Sequence, residues 1–171
     1  MAAISVRLDD GTIVVTPGGR SLRALGPADL ACIDADGIAR DQGPRATSEL
    51  PLHLAAYRAR SDIACVVHTH PANCVAWSKT GRLFPLDTVG AAESLGPIAF
   101  VPYEPPGSRA LAAACALAFA RADTVLMERH GLSVVGAGLE RAFEITDLAE
   151  QTAAIELGAA TLAKVRRSGE A

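Results

Sequence analysis

Short apolar runs separated by turn residues dominate the first part of the chain. The runs are rich in Ile and Val, and the turns between them carry pairs such as Asp10-Gly11 and Asp36-Gly37. Runs of this kind are typical of β-strands joined by hairpins. The predicted strands span residues 4–8, 12–15, 30–33 and a segment from 38 onward.

Strand and helix patterns alternate in the rest of the chain. Further strands are predicted at residues 63–67, 98–103, 124–127 and 132–135, and helices at 48–60, after Pro71, at 111–120 and after Gly136. In the last helix, apolar residues recur at spacings of three and four, which places them on one face. Residues 81–97 fit neither pattern. Hairpins followed by alternating strands and helices favour an α/β fold. We expect a three-layer αβα sandwich around a mixed, largely antiparallel sheet.

The composition indicates a single folded domain, residues 1–171, with a core of small aliphatic side chains. Half of the residues are hydrophobic, but only 4% are aromatic. The net charge of −3 is opposite to the basic surface that nucleic-acid binding requires. The N-terminal residues lack a signal-peptide pattern, and the longest apolar segment, 110–120, is too short to span a bilayer. We expect a soluble protein with a small-molecule substrate and neither nucleic-acid nor membrane partners.

The cysteines indicate a reducing compartment. Cys32, Cys65, Cys74 and Cys115 form no C-x-x-C pair and show no disulfide-like spacing. Cys65 and Cys115 lie in apolar runs, where free thiols behave as small core residues. We therefore expect the protein in the cytoplasm.

Two of the four histidines stand one residue apart at the end of a predicted buried strand. Because side chains alternate along a strand, His68 and His70 point to the same side. His130 follows another apolar strand and precedes Gly131, which permits a tight turn. Three imidazoles from two strand ends would leave an open fourth position on zinc, as in catalytic sites. By itself, an H-x-H pair is also compatible with ordinary surface or core histidines.

Four separated motifs together resemble the class II aldolase/adducin family, whose enzymes include fuculose-phosphate aldolase and ribulose-phosphate epimerase. The motifs are GPRATSEL at 43–50, VHTHP at 67–71, VPY at 101–103 with PGS at 106–108, and RHG at 129–131. The similarity runs from about Ile4 to the final helix. Compared with the family pattern, the sequence is short at its N-terminus, because the helices that normally precede the first strand are missing. The resemblance implies a class II aldolase-like fold over nearly the whole chain.

The resemblance also implies a metal and a catalytic carboxylate. His68, His70 and His130 would bind a divalent metal, usually Zn²⁺, with Mn²⁺ or another divalent ion as the alternative, and Glu49 would be the acid/base beside it. The chemistry is consistent, because a divalent cation stabilises the enediolate that forms when a neighbouring C–C or C–H bond breaks, while a carboxylate moves the proton. Without the resemblance, Glu49 would be an ordinary acid in the first turn of a helix.

Two loops of the family hold the phosphate of the substrate. By resemblance, Thr16, Gly18 and Gly19 belong to one loop, and Thr47 and Ser48 belong to the other. Backbone N–H groups in such loops bind anions, and Thr47 and Ser48 are also suitable caps for the following helix. Gly18 stands where the family usually has a serine, so a substrate with a carboxylate, or one without phosphate, is an alternative.

The sequence does not decide which reaction the protein catalyses. Sugar-phosphate aldolases of the family usually carry a tyrosine between the second and third motifs, and this chain has none there. We expect a zinc-dependent lyase, of the aldolase or decarboxylase type, that acts on a small hydroxy-carbonyl or sugar-derived substrate. The alternatives are a metal-dependent epimerase or hydrolase and a non-catalytic, adducin-like scaffold. The family further implies a homo-oligomer, a tetramer.

Other polar residues of the helices are expected to have structural roles. His53, four residues after Glu49, is expected to pack or to face solvent, with a place beside the metal as the alternative. Asp147, Glu150 and Glu156 of the last helix are expected on a solvated or intersubunit face.

Overall fold

A computed structural model describes residues 2–169; Met1 and the last two residues of the domain predicted at 1–171 lie outside the described part. Within it, the strands are β1 (Ala3–Arg7), β2 (Ile13–Val15), β3 (Ala31–Ile33), β4 (Cys65–Thr69), β5 (Ile98–Val101), β6 (Thr124–Met127) and β7 (Gly131–Gly136). The α-helices are α1 (Leu50–Ala59), α2 (Ala72–Ser78), α3 (Val89–Ser94), α4 (Arg109–Phe119) and α5 (Leu139–Gly169). Two short 3₁₀ turns, Leu22–Ala24 and Pro27–Asp29, lie between β2 and β3.

The seven strands form one sheet in the order β3-β2-β1-β4-β7-β6-β5. Every neighbouring pair in it is antiparallel except β5 and β6, which run parallel. β4 lies in the middle, so that His68 pairs with Ala3 of β1 on one side and with Ser133 of β7 on the other. The predicted mixed, largely antiparallel sheet is confirmed.

Helices cover both faces of the sheet. On one face, α1 and α4 pack together over a core that includes Val66 and Phe119. On the other face, α2, α3 and α5 cover a second core that includes Val67 and Leu126. Because consecutive residues of β4 point to opposite faces, Val66 and Val67 belong to different cores. The predicted three-layer αβα sandwich is confirmed.

The structure differs from the sequence prediction in two connecting regions. The segment from residue 38 onward, predicted as a strand, forms only an isolated bridge between Ala39 and Ile33. The region 81–97, which fits neither periodicity, contains α3, whose first turn is capped by the Thr88 hydroxyl accepting from the Ala91 N–H. A helix of six residues is too short to show a helical period.

The longest element is α5, with 31 residues. Its N-terminal part packs on β4, β7 and α2, while Ile155, Leu162 and Val165 in its C-terminal part are exposed. Among residues 2–169, no helix has both the length and the apolar character that crossing a membrane would require.

Candidate metal centre and acid/base site

His68 lies in β4, the central strand, and His70 directly follows the last residue of that strand. The side chain of His68 is buried, and its Nδ1 lies 3.2 Å from the Leu132 carbonyl oxygen and 3.0 Å from Ser133 Oγ on β7. Because a carbonyl oxygen only accepts, the His68 ring donates from Nδ1 and keeps an unprotonated Nε2. That Nε2 lies 3.0 Å from the Nε2 of His70.

His130 lies in the tight connection from β6 to β7. The preceding residue, Arg129, adopts a left-handed conformation with φ of 56°, and its N–H donates to Ser78 Oγ at 2.9 Å. The following residue must be glycine, because a Cβ on Gly131 would lie 2.3 Å from the Thr69 carbonyl oxygen. The backbone of β7 therefore approaches the end of β4 closely enough to bring His130 beside the other two histidines.

The three imidazoles converge on one point. Their ring centroids lie 4.9 to 5.1 Å apart, and one possible ligand atom from each ring lies within 4.8 Å of the others. Tetrahedral ligands at about 2.0–2.1 Å from zinc are roughly 3.3 Å from one another, close to the separation of the His68 and His70 nitrogens. In addition, the Nδ1 of His130 is buried and has no hydrogen-bond partner among the described residues. The residues present therefore fit a divalent cation.

Burial favours the neutral form of all three imidazoles. Burial lowers the pKa of His68 well below its usual value, and the neighbouring imidazoles lower it further. Burial, together with the neighbouring His130, lowers the pKa of His70 to about 4, although His70 is the most exposed of the three. Burial also lowers the pKa of His130, and the negative charge of Glu49 offsets part of that effect. Neutral rings present the lone pairs that a cation requires.

Glu49 lies directly before α1 and shares a small cavity, of about 70 Å³, with His68 and His70. Its carboxylate is buried, and Oε2 accepts from the Gly107 N–H at 3.2 Å. Gly107 has φ of 70°, and a Cβ there would lie 3.0 Å from the Ser48 carbonyl oxygen, so this loop approaches Glu49 because residue 107 is glycine. The structure thus brings the predicted acid/base and the histidine trio together.

The predicted anion-binding residues divide into two groups. Gly18, Gly19, Thr47 and Ser48 line the cavity that contains Glu49. Thr16 does not line it; its hydroxyl accepts from the Ile4 N–H at 3.0 Å, and its carbonyl accepts from the Thr47 N–H at 3.1 Å. Thr16 therefore holds the two loops in place.

His53 is a packing residue inside the first core. It is fully buried, and its Nδ1 lies 2.7 Å from Ser5 Oγ, which in turn lies 2.9 Å from the Tyr57 hydroxyl. Burial lowers the pKa of His53 to about 4, so this ring is also neutral. The expectation of a packing residue is met, and the solvent-facing alternative is wrong.

This arrangement of residues can be compared with known protein families. Residues 2–157 match the family described as Class II Aldolase and Adducin N-terminal domain. The chain belongs to this family. The match covers both strand ends that carry the histidines, and it confirms the resemblance seen in the four sequence motifs.

Individual class II aldolase relatives agree with this assignment. L-fuculose phosphate aldolase of Escherichia coli O6:H1 is 34% identical over 155 residues, which are 90% of this chain and 71% of the relative. The enzyme of the same name from Methanococcus maripaludis strain C7 is 32% identical, over 88% of this chain and 81% of the relative. These relatives are lyases, and the expectation of a class II aldolase-like lyase is confirmed.

Solved structures confirm the class II aldolase fold. YgbL of Klebsiella pneumoniae, for which aldolase, epimerase and decarboxylase are candidate activities, has a TM-score of 0.84 and 28% identity, over 92% of this chain and 78% of its own. L-fuculose-1-phosphate aldolase of Thermus thermophilus has a TM-score of 0.79 and 28% identity, over 92% of this chain and 82% of its own.

The structure also shows a contact close to the histidines that the sequence pattern missed. The carboxylate of Glu150, on α5, accepts from the N–H groups of Asn73 and Cys74 at 2.9 Å each and from Asn73 Nδ2 at 2.8 Å. These donors form the first turn of α2, directly after His70 and Pro71. The expectation that Glu150 lies on a solvated or intersubunit face is wrong, because this carboxylate faces the start of α2.

We expect Glu150→Ala to weaken metal binding, but by less than the roughly 10- to 100-fold that loss of a direct hydrogen-bond partner of a ligand costs. The carboxylate fixes the turn that follows His70, so its loss frees that ligand. Competition with a chromophoric chelator measures the affinity. Thr88→Ala is the matched control, because it removes the cap of α3 and should leave metal affinity within about twofold. Unchanged affinity in Glu150→Ala would mean that Glu150 is only a helix cap.

Proposed function

We propose that this chain is a zinc-dependent lyase of the aldolase type that acts on a small hydroxy-carbonyl or sugar-derived compound. The observation that carries the proposal is the convergence of three imidazoles beside a buried carboxylate. The fuculose-phosphate aldolases among the relatives support it. A bound divalent cation would supply the positive charge that polarises a substrate oxygen while a neighbouring bond breaks.

The residues of the chain have separate tasks in this proposal. His68, His70 and His130 would hold the cation through one nitrogen each. Glu49 would remove a proton from the substrate or return one to it. The Gly107 N–H keeps Oε2 of this carboxylate in place, and Oε1 has no hydrogen bond to any residue of the described part. Glu49 is thereby oriented and still has one oxygen available for proton transfer.

The loop residues beside Glu49 would bind the rest of the substrate. Gly18, Gly19, Thr47 and Ser48 line the cavity and offer backbone N–H and hydroxyl groups to an anionic group. Thr16 would support them through its bonds to Ile4 and Thr47.

Three finer assignments belong to the same proposal. Zinc is favoured because three imidazoles and one open position are its usual catalytic ligand set, with Mn²⁺ as the alternative. The cytoplasm is supported by the four free cysteines. A homotetramer is the assembly implied by family resemblance.

A decarboxylase or epimerase would use the same cation and Glu49. The YgbL structure supports testing both, since these are among its candidate activities. In either case, the chain would stabilise negative charge on the same substrate oxygen, and only the bond that breaks would differ.

The test is a metal-dependent activity screen on the purified, metal-analysed protein. Substrates should include L-fuculose 1-phosphate and unphosphorylated hydroxy-keto acids, with separate detection of aldehyde, carbon dioxide and ester hydrolysis. We expect aldehyde release that a chelator abolishes and zinc restores. Hydrolysis alone would favour a hydrolase, and a metal-free, inactive protein would favour an adducin-like scaffold.

A further inference from the structure

The turn that carries His130 has an unusual backbone. The turn is closed by a hydrogen bond from the His130 N–H to the Met127 carbonyl oxygen, at 3.2 Å. Inside it, Arg129 has φ of 56°, and in the part of the chain that the structure describes it is the one residue other than glycine with a positive φ. Turns normally place glycine or asparagine at such a position, because a Cβ disfavours the left-handed conformation. An arginine in this conformation requires support from its surroundings.

The side chain of Arg129 supplies only part of that support. Its Nε lies 3.3 Å from Glu128 Oε1, and its guanidinium carbon lies 4.2 Å from the ring centroid of Tyr103. The side chain of Arg129 is 53% exposed, and ion pairs and cation–π contacts at exposed positions are weak. A contact from a buried group to the backbone is therefore the stronger support.

Ser78, the last residue of α2, makes that contact. Its side chain is fully buried, and its Oγ accepts from the Arg129 N–H at 2.9 Å. The same hydroxyl donates to the Val75 carbonyl oxygen at 2.7 Å, which fixes its direction and leaves a lone pair for Arg129. The hydroxyl thus stabilises the backbone conformation that places Arg129 in the left-handed region.

The helix that carries Ser78 begins directly after another of the three histidines. Pro71 follows His70 and is the N-cap of α2, so the seven residues of this helix connect His70 to Ser78. The helix also packs on β6, β7 and α5, which keeps both of its ends in place. Through α2, the segment that contains His70 is joined to the turn that contains His130.

We propose that Ser78 is a positioning residue of the metal centre. Its hydroxyl holds Arg129 in the left-handed conformation and thereby directs His130 toward the other two histidines. Because Ser78 acts through Arg129, it touches neither the metal nor the substrate. This inference rests on the proposed function only for the presence of a metal at the three histidines, and it requires no turnover.

The test measures the zinc affinity of the full-length chain by competition with a chromophoric chelator, below the unfolding transition of every variant. Ser78→Ala should weaken binding about 5- to 30-fold, because a left-handed residue with a Cβ is disfavoured by about that factor when nothing holds it. Thr146→Val is the matched control, since it removes a buried hydroxyl whose bond, to the Ala142 carbonyl at 2.8 Å, stays within α5. This control should change the affinity by less than about twofold.

Two double variants separate this role from a general structural one. In Ser78→Ala/Arg129→Gly, glycine adopts the left-handed conformation without the Cβ penalty, so the zinc affinity should recover to within about threefold of Arg129→Gly alone. In Ser78→Ala/Arg129→Ala, the same guanidinium contacts are lost but a Cβ remains, so the affinity should stay well below that of Arg129→Ala alone. The difference between the two losses is the coupling that runs through the backbone of residue 129.

The outcomes decide between the two roles. Rescue by glycine and not by alanine supports a positioning role, in zinc affinity or, if Ser78→Ala does not fold, in the recovery of a folded chain. Unchanged affinity in Ser78→Ala, or equal losses in both double variants, overturns the inference and leaves the proposed lyase function standing. A chain that binds zinc in this Ser78-dependent way without turnover supports the inference and contradicts the lyase proposal. A chain that binds no zinc overturns both.

Discussion

Glu49→Gln is expected to retain its metal and to lose about 10²- to 10⁴-fold in kcat, the range that a general acid/base contributes. Metal retention follows because Glu49 is not one of the three imidazole ligands. The glutamine side chain would also keep an oxygen that can accept from the Gly107 N–H, which now bonds to Oε2 at 3.2 Å. The loss would therefore reflect proton transfer, not the collapse of the loop.

The measurement combines metal content with steady-state kinetics on the same preparation. Glu140→Gln, which neutralises an exposed carboxylate at the start of α5, is the control and should keep full activity. Undiminished turnover in Glu49→Gln would remove Glu49 from the acid/base role. Loss of metal together with activity would instead make Glu49 a ligand.

His130→Ala is expected to lose both metal and activity. Outer partners of metal ligands already contribute about 10- to 100-fold to affinity, so removal of a ligand should weaken binding by at least about 100-fold. Two imidazoles from β4 alone leave half of a tetrahedral site to water. Chelator competition gives the affinity, and thermal unfolding with and without zinc gives the accompanying loss of metal-dependent stabilisation.

The fourth histidine provides the matched control for this prediction. His53→Gln changes a buried ring that bonds to Ser5 and lies outside the trio, so the variant should be less stable but should still bind one metal ion. If His130→Ala binds metal as tightly as the unsubstituted chain, the third ligand has been misassigned. If His53→Gln also loses its metal, the trio is not sufficient.

The parts of the fold and site that the sequence predicted are those with local signals. Alternation along β4 put His68 and His70 on one side, and the apolar runs before and after His130 marked two strands. The mixed, largely antiparallel sheet was predicted from the hairpins at the start of the chain and from the strands and helices that alternate after them. The resemblance then joined Glu49 to the histidines, and the structure places Glu49, His68 and His70 around one cavity.

The parts that escaped prediction depend on residues far apart in the chain. Glu150 caps the turn after His70 across 77 positions, and its spacing on α5 gives no sign of that contact. Gly107 orients Glu49 across 58 positions through its backbone N–H, which no side-chain pattern reveals. Such tertiary hydrogen bonds become visible only once the sheet has aligned its strand ends.

The most direct test of the metal centre is X-ray absorption spectroscopy at the zinc edge on protein reconstituted with one equivalent of zinc. Coordination by His68, His70 and His130 predicts three imidazole nitrogens at about 2.0–2.1 Å and a fourth, exchangeable light atom. Zinc with sulfur ligands, or with one imidazole or none, would contradict the site, and with it the lyase proposal.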